Sequence, residues 1–170
     1  GGSVLYNAAA LVADRRLLGH YHKRSLVNHG VFEDSRYFQQ GQRLSLLRVR
    51  GVVIGVTLCE DLECSKGLIR RQAAGGAEII VNISASPFHR GKSRTREQLL
   101  AARARENGVI VTYTNMVGGQ DELVFDGNSV ILDRAGGVLA RGGAFQEELV
   151  LADVGVHAVS SVRRTPTQKA

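Results

Sequence analysis

The chain has 170 residues, enough for one domain with a substantial core, and its 44% apolar and 22% charged content is that of a globular protein. No apolar run approaches the roughly 18 residues that cross a bilayer. The first residues lack the basic-then-apolar pattern of a signal peptide, and two cysteines, Cys59 and Cys64, are too few for a disulfide framework, so the cytoplasm is the expected compartment and no membrane is a partner. The net charge of +6 raises nucleic acid as a partner, but the arginines are scattered among acids and no basic-aromatic stripe is present to stack bases. A solvated basic surface is expected instead.

In chain order, the apolar run Val4 to Val12, the turn at Asp14-Arg15-Arg16 and the run Leu17 to Tyr21 predict a pair of strands. Residues 23–43 are polar and irregular, a loop long enough to suggest a function. Leu44 to Val49 and Val52 to Leu58 predict a second pair, the latter apolar on both faces as in a strand covered on both sides. Lys66 to Ala74 reads as a helix closed by Gly75-Gly76, and Glu78 to Ile83 as a strand running into the loop from Ser84 to Gly91. Thr95 with Gln98 three residues later predicts a capping box, opening a helix that ends at Asn107-Gly108. Val109 to Thr114 predicts a strand, Met116 to Glu122 a Gly-rich loop, and Ser129 to Leu132 with Val138 to Ala140 a hairpin. Glu148 to Val154 predicts a last strand. This order of strands and helices implies an α/β sandwich with mixed sheets. Residues 1–154 make the domain, and 155–170 a tail or linker.

Cys59 ends the most apolar strand and is followed at once by Glu60 and Asp61. A thiol at the tip of a buried strand is held rigidly while its sulfur stays open, and the next backbone N–H, that of Glu60, can face an oxyanion. A free thiol with a pKa near ~8.5 needs a cation or base to react at neutral pH. Cysteine is equally at home as apolar filler. Cys64 lies at the start of the following helix, which makes Cys59 the expected reactive thiol. With four residues between them the two cysteines also have the look of half a metal site, but no second Cys or His pair completes it, and no metal is expected. Lys23, where a strand enters the long loop, is placed to lower the thiol pKa or face an intermediate. Glu33, Asp34, Glu60, Asp61 and Glu63 are possible bases, and His20, His22 and His89 possible partners of a papain-like pair.

Several stretches resemble the nitrilase (carbon–nitrogen hydrolase) superfamily: Tyr6-Asn7-Ala8-Ala9 with Gly19 to Lys23, Gly30 to Phe38 with Gly41, and Ile54 to Leu62 around the cysteine. Asn82 to His89 with Gly91-Lys92, and the 13 residues Asn115 to Gly127, resemble the glutaminase domain of glutamine-dependent NAD synthetases. The likeness covers roughly residues 4–154.

The resemblance implies a nitrilase-like αββα sandwich of two mixed β-sheets flanked by helices. It implies a Glu-Lys-Cys triad that hydrolyses the glutamine side-chain amide through a thioester. Cys59 matches the nucleophile, Lys23 the triad lysine, and Asp34 stands where an assisting glutamate is usual. Ser86 and Lys92 lie in the loop that holds the α-amino acid group, with His29 and Glu63 at positions usually held by tyrosine and tryptophan on the substrate's side. Ammonia would pass to a synthetase domain, the expected partner, which would carry ATP and nicotinate adenine dinucleotide; the domain itself needs no cofactor. A homo-oligomer is the expected assembly. The triad glutamate belongs upstream of Lys23, where this chain offers only Asp14 in a turn, so the domain's first strands are expected to lie outside these residues and the chain alone to turn over poorly. The alternatives are a nitrilase-type amidase acting on another small amide, and a non-catalytic remnant kept for assembly.

Overall fold

The computed structural model describes residues 4–28, 30, 32–64 and 66–156. His29 and most of the expected 155–170 tail lie outside them. The first hairpin pairs β1 (Ala8–Ala13) with β2 (Arg16–His22), antiparallel. Short helix α1 (Asp34–Tyr37) follows, then β3 (Leu46–Val49) and β4 (Val52–Leu58). Helices α2 (Asp61–Cys64) and α3 (Lys66–Ala74) lead to β5 (Ile79–Ser84), and α4 (Lys92–Asn107) to β6 (Ile110–Asn115). The hairpin of β7 (Val117–Gln120) and β8 (Leu123–Asp126) precedes β9 (Val130–Leu132) and β10 (Val138–Arg141).

Six strands form one mixed sheet in the order β10-β9-β6-β5-β4-β3, with β4, β5 and β6 parallel at its centre. Alternation along β4 divides the core. Val53 joins Leu62, Ile69, Ile80 and Leu100 in the main cluster on the helix side. Val56 and Leu58 join Ala9 and Tyr21 of the β1–β2 hairpin on the other face. The layers are therefore helices, the six-stranded sheet, and the hairpin, the α/β sandwich that the apolar strand patterns imply. α3 lies close on β4 because Gly55 has no side chain: a Cβ there would meet Ile80 Cδ1 at 2.8 Å and Gln72 Cδ at 2.9 Å.

Four local expectations are corrected. α4 starts at Lys92, one turn before Thr95, with left-handed Gly91 as its N-cap and no side-chain cap; Thr95 sits inside the first turn, its hydroxyl 3.4 Å from the Gly91 carbonyl, so no capping box forms. The Gly-rich stretch from Met116 is not a loop but the β7–β8 hairpin, turned at Asp121-Glu122 with Asp121 at φ +52°. Glycine offers a strand no side-chain packing, and cross-strand pairing overrides that weak propensity. Glu148 to Val154 forms no strand; it alternates suitably, but no described strand pairs with it, and Leu149 and Leu151 stay 83% and 76% exposed. Cys64 closes α2 rather than opening a helix.

Among the described residues, no helix is long and apolar enough to cross a membrane.

Candidate active site

The parallel register aligns the carboxyl ends of three strands. Leu58 stands opposite Ile83, and Ser84 opposite Asn115, so the residues after β4, β5 and β6 emerge at one rim. Crevices at that end of parallel strands are where ligands bind in open α/β sheets.

Cys59 is the first residue past β4 and has φ +43°, a left-handed conformation costly for a residue with a Cβ. Three hydrogen bonds hold it there. Its N–H donates to the Ile83 carbonyl at 2.9 Å, and its own carbonyl accepts from Leu62 N–H at 3.3 Å and from Asn82 Nδ2 at 3.1 Å. Asn82 also donates to Thr57 Oγ1 at 3.0 Å, so a buried polar pair under the sheet supports the turn. The thiol is half-buried. Burial pushes its pKa up; the Ala85 backbone N–H lowers it, Glu60 raises it, and the Lys23 cation and the Ser84 hydroxyl lower it, with a net rise above the ordinary thiol value.

Lys23 is the first residue past β2. Its N–H donates to Asn7 O and its carbonyl accepts from Gly41 N–H, both at 2.8 Å. Gly41 permits that approach, since a Cβ there would collide with the His22 carbonyl. The side chain points inward, only 4% of the residue being exposed, and Nζ lies 2.5 Å from Asp34 Oδ2 and 3.0 Å from Glu60 Oε2. Burial disfavours the ammonium, but the two carboxylates outweigh it and lift the pKa above the lysine norm. Asp34, the first residue of α1, is fixed in turn by Val27 N–H at 3.1 Å.

The expected site residues fall into place unevenly. Cys59, Lys23, Asp34 and Glu60 converge. Glu63 is half-buried on α2; burial first and Glu60 next raise its pKa, against the opposite pull of Lys92 and Arg96, with a net rise, and Lys92 is the first residue of α4. Ser86 is buried, its N–H donating to Asn115 Oδ1 at 2.8 Å. His29 is outside the described residues. No described histidine pairs with the thiol: His22 stacks between Tyr6 and His20 on the strand face opposite buried Tyr21, and His89 is exposed. A cavity of about 490 Å³ beside that stack, lined also by Gln40 and Arg43, includes neither Cys59 nor Lys23. Among the described residues no three His, Cys, Asp or Glu side chains gather as metal ligands.

Sequence reasoning missed the polar layer behind the rim. Arg96 and Asp126 form a buried pair at 3.4 Å, and Arg96 also donates to Gly127 O at 3.2 Å and lies over the Tyr113 ring. Asn115 Nδ2 donates to Gly127 O at 3.1 Å and to Asp126 Oδ1 at 3.3 Å while its oxygen holds Ser86. The sequence signals were the place of Asn82 and Asn115 near the ends of apolar runs and the family-like stretches that begin at them, the second of which also holds Asp126 and Gly127.

A family model described as carbon–nitrogen hydrolase matches residues 1–164. The glutamine-dependent NAD(+) synthetase of Thermotoga maritima is 44% identical over 153 residues, which is 88% of this chain and 26% of that protein. The structure of glutamine-dependent NAD+ synthetase from Acinetobacter baumannii superposes with a TM-score of 0.82 at 30% identity, over 91% of this chain and 31% of that one. An amidase from Nesterenkonia sp. AN1, carrying the acetamide moiety of fluoroacetamide at its active-site cysteine, superposes with a TM-score of 0.77 at 30% identity, over 86% of this chain and 54% of its own. The chain thus spans about a quarter of the length of the curated relative. It belongs to the carbon–nitrogen hydrolase family.

Proposed function

We propose that the chain carries the thiol site of a glutamine amidase. The observation that carries this reading is the buried Lys23 ammonium, held between Asp34 and Glu60 beside a cysteine in a left-handed turn. In this reading the Cys59 sulfur attacks the side-chain amide carbon and its proton passes to a carboxylate base, which the family resemblance places upstream of Lys23. The oxyanion is met by the Lys23 cation and the Glu60 N–H; the Cys59 N–H is already given to Ile83. Collapse breaks the C–N bond, the nitrogen takes the proton and leaves as ammonia, and water then cleaves the thioester to glutamate. Asp34 holds Lys23 charged and in place. Lys92 and Glu63, opposite charges, suit the carboxylate and ammonium of an α-amino acid head, with Ser86 and His29 the further residues that the family resemblance assigns to the substrate.

The names of the relatives, glutamine-dependent NAD(+) synthetases, support a glutamine-hydrolysing role; in this reading residues 1–154 are the amidase domain, 155–170 lead away from it, and ammonia passes to a synthetase domain that would bind ATP and nicotinate adenine dinucleotide. Similarity to the Nesterenkonia amidase, of which the chain covers a larger share, favours a second reading, hydrolysis of a simple amide. Protection of Cys59 from iodoacetamide separates the two. Glutamine should slow alkylation while acetamide and propionamide do not; protection by the simple amides alone would support the second reading.

A further inference from the structure

The acids around the thiol differ in what holds them. Asp34 and Glu60 grip the Lys23 ammonium, and Glu63 is half-buried on α2. Asp61 has no cation paired with it among the described residues, yet it is wholly buried. Four donors converge on it instead. Tyr21 Oη donates to Oδ2 at 2.6 Å and Leu58 N–H to the same oxygen at 3.1 Å. Arg24 N–H and Ser25 N–H donate to Oδ1 at 3.0 and 2.6 Å. An ionised carboxylate only accepts, and with two donors on each oxygen little lone-pair capacity remains for a substrate proton. Asp61 is therefore not a base.

The origin of the donors shows what it does. Tyr21, Arg24 and Ser25 bracket Lys23 on both sides, whereas Leu58 immediately precedes Cys59 and Asp61 follows it by two. β2 and β4 belong to different sheets, and among the described residues no backbone-to-backbone hydrogen bond joins residues 21–25 to residues 57–62. Without a shared ladder, the two strand ends are held together by side chains: the Lys23–Glu60 pair, the packing of Tyr21 with Val56 and Leu58, and Asp61, on which backbone N–H groups from both ends converge. We infer that Asp61 is a positioning residue, which sets the Lys23 ammonium against the Cys59 thiol by gripping both strand ends at once. It touches neither substrate nor sulfur, and acts on the reaction through Lys23. The inference rests on the reading of Cys59 and Lys23 as partners.

Alkylation of Cys59 by iodoacetamide across pH, read by peptide mass spectrometry on the 170-residue chain, tests this without any turnover. Lys23→Met should move the thiol titration upward, because the cation favours thiolate. Asp61→Asn keeps the shape but turns a donor toward donors; it should move the titration the same way, with alkylation roughly threefold slower or more at about pH 8. Tyr21→Phe removes one of the four donors and should give a smaller shift of the same sign. Adding Asp61→Asn to Lys23→Met should change nothing further, since the cation it positions is gone. If both single variants at 61 and 21, shown folded by near-UV circular dichroism, titrate as wild type, the inference fails. It also fails if the Asp61 and Lys23 effects add. Should Asp61→Asn not fold, Tyr21→Phe alone decides. An unmoved Lys23→Met would instead overturn the Cys59–Lys23 pairing itself, and the role of Asp61 with it.

Discussion

Lys23 Nζ lies 3.0 Å from Glu60 Oε2, so the cation at the end of one layer is tied to the residue that follows the thiol in the other. A lysine buried to this degree is held by two carboxylates, one on either side.

Lys23→Met should therefore cost stability as well as chemistry. A lysine that served charge stabilisation more than folding would leave the melting temperature little changed; the burial of Lys23 says otherwise. Removing one partner of a buried ion pair typically costs about 3 kcal/mol or more, so the melting temperature should fall clearly. In the full-length context turnover should also fall roughly 10²-fold, the usual loss for an oxyanion partner. An unchanged melt would mean that the Lys23 pocket is wetter than its geometry implies.

The same pair sets a pH window. The pKa of Lys23 is raised in the fold, so its stabilisation is complete below the ordinary lysine value and is lost as pH rises through the higher folded one. Chemical denaturation should show wild type losing stability faster than Lys23→Met above about pH 10.5. Parallel curves would refute this.

The left-handed backbone at Cys59 predicts an inverted glycine effect. Cys59→Gly should be more stable than Cys59→Ala by about 1 kcal/mol, because only glycine adopts φ +43° without a Cβ penalty. Urea unfolding of the two variants checks it, and the reverse order would show that the turn relaxes.

Arg96→Met should be among the most destabilising single changes. Asp126 would be left buried without its cation, with Asn115 and Asn128 its remaining side-chain donors among the described residues, at a cost of about 3–5 kcal/mol. A loss below 1 kcal/mol in thermal or urea unfolding would mean that water reaches the gap.

Turnover by the 170-residue chain alone should be slow. Burial raises the thiol pKa, while Asp34 and Glu60 are engaged by Lys23 and Asp61 by four donors. General-base help is worth about 10²–10⁴-fold; Glu63, without an ion pair among the described residues, is the one acid left, and the proposed site commits it to the substrate's ammonium. Brisk ammonia release in a steady-state assay would make one of these acids the base.

What was legible in the sequence was whatever local pattern decides. Val52 to Leu58 reads as a doubly covered strand and Lys66 to Ala74 as a helix because periodicity and closing glycines act locally, and both match residue for residue. Cys59 at the end of that strand could be found the same way. The β7–β8 hairpin could not, since Gly118 and Gly119 carry no strand signal and only pairing makes them one. Glu148 to Val154 is the converse, a strand pattern with no described neighbour. Asp61 was visible only as one acid among five; which amides point at it is decided where the ends of β2 and β4 meet, a tertiary fact with no local trace.

The most direct test of the account is where an electrophilic glutamine analogue reacts. After incubation with such an analogue, peptide mass spectrometry should place a single adduct on Cys59, with Lys23→Met slowing its formation. An adduct on Cys64 alone, or labelling of Cys59 at the same rate with and without Lys23, would contradict it.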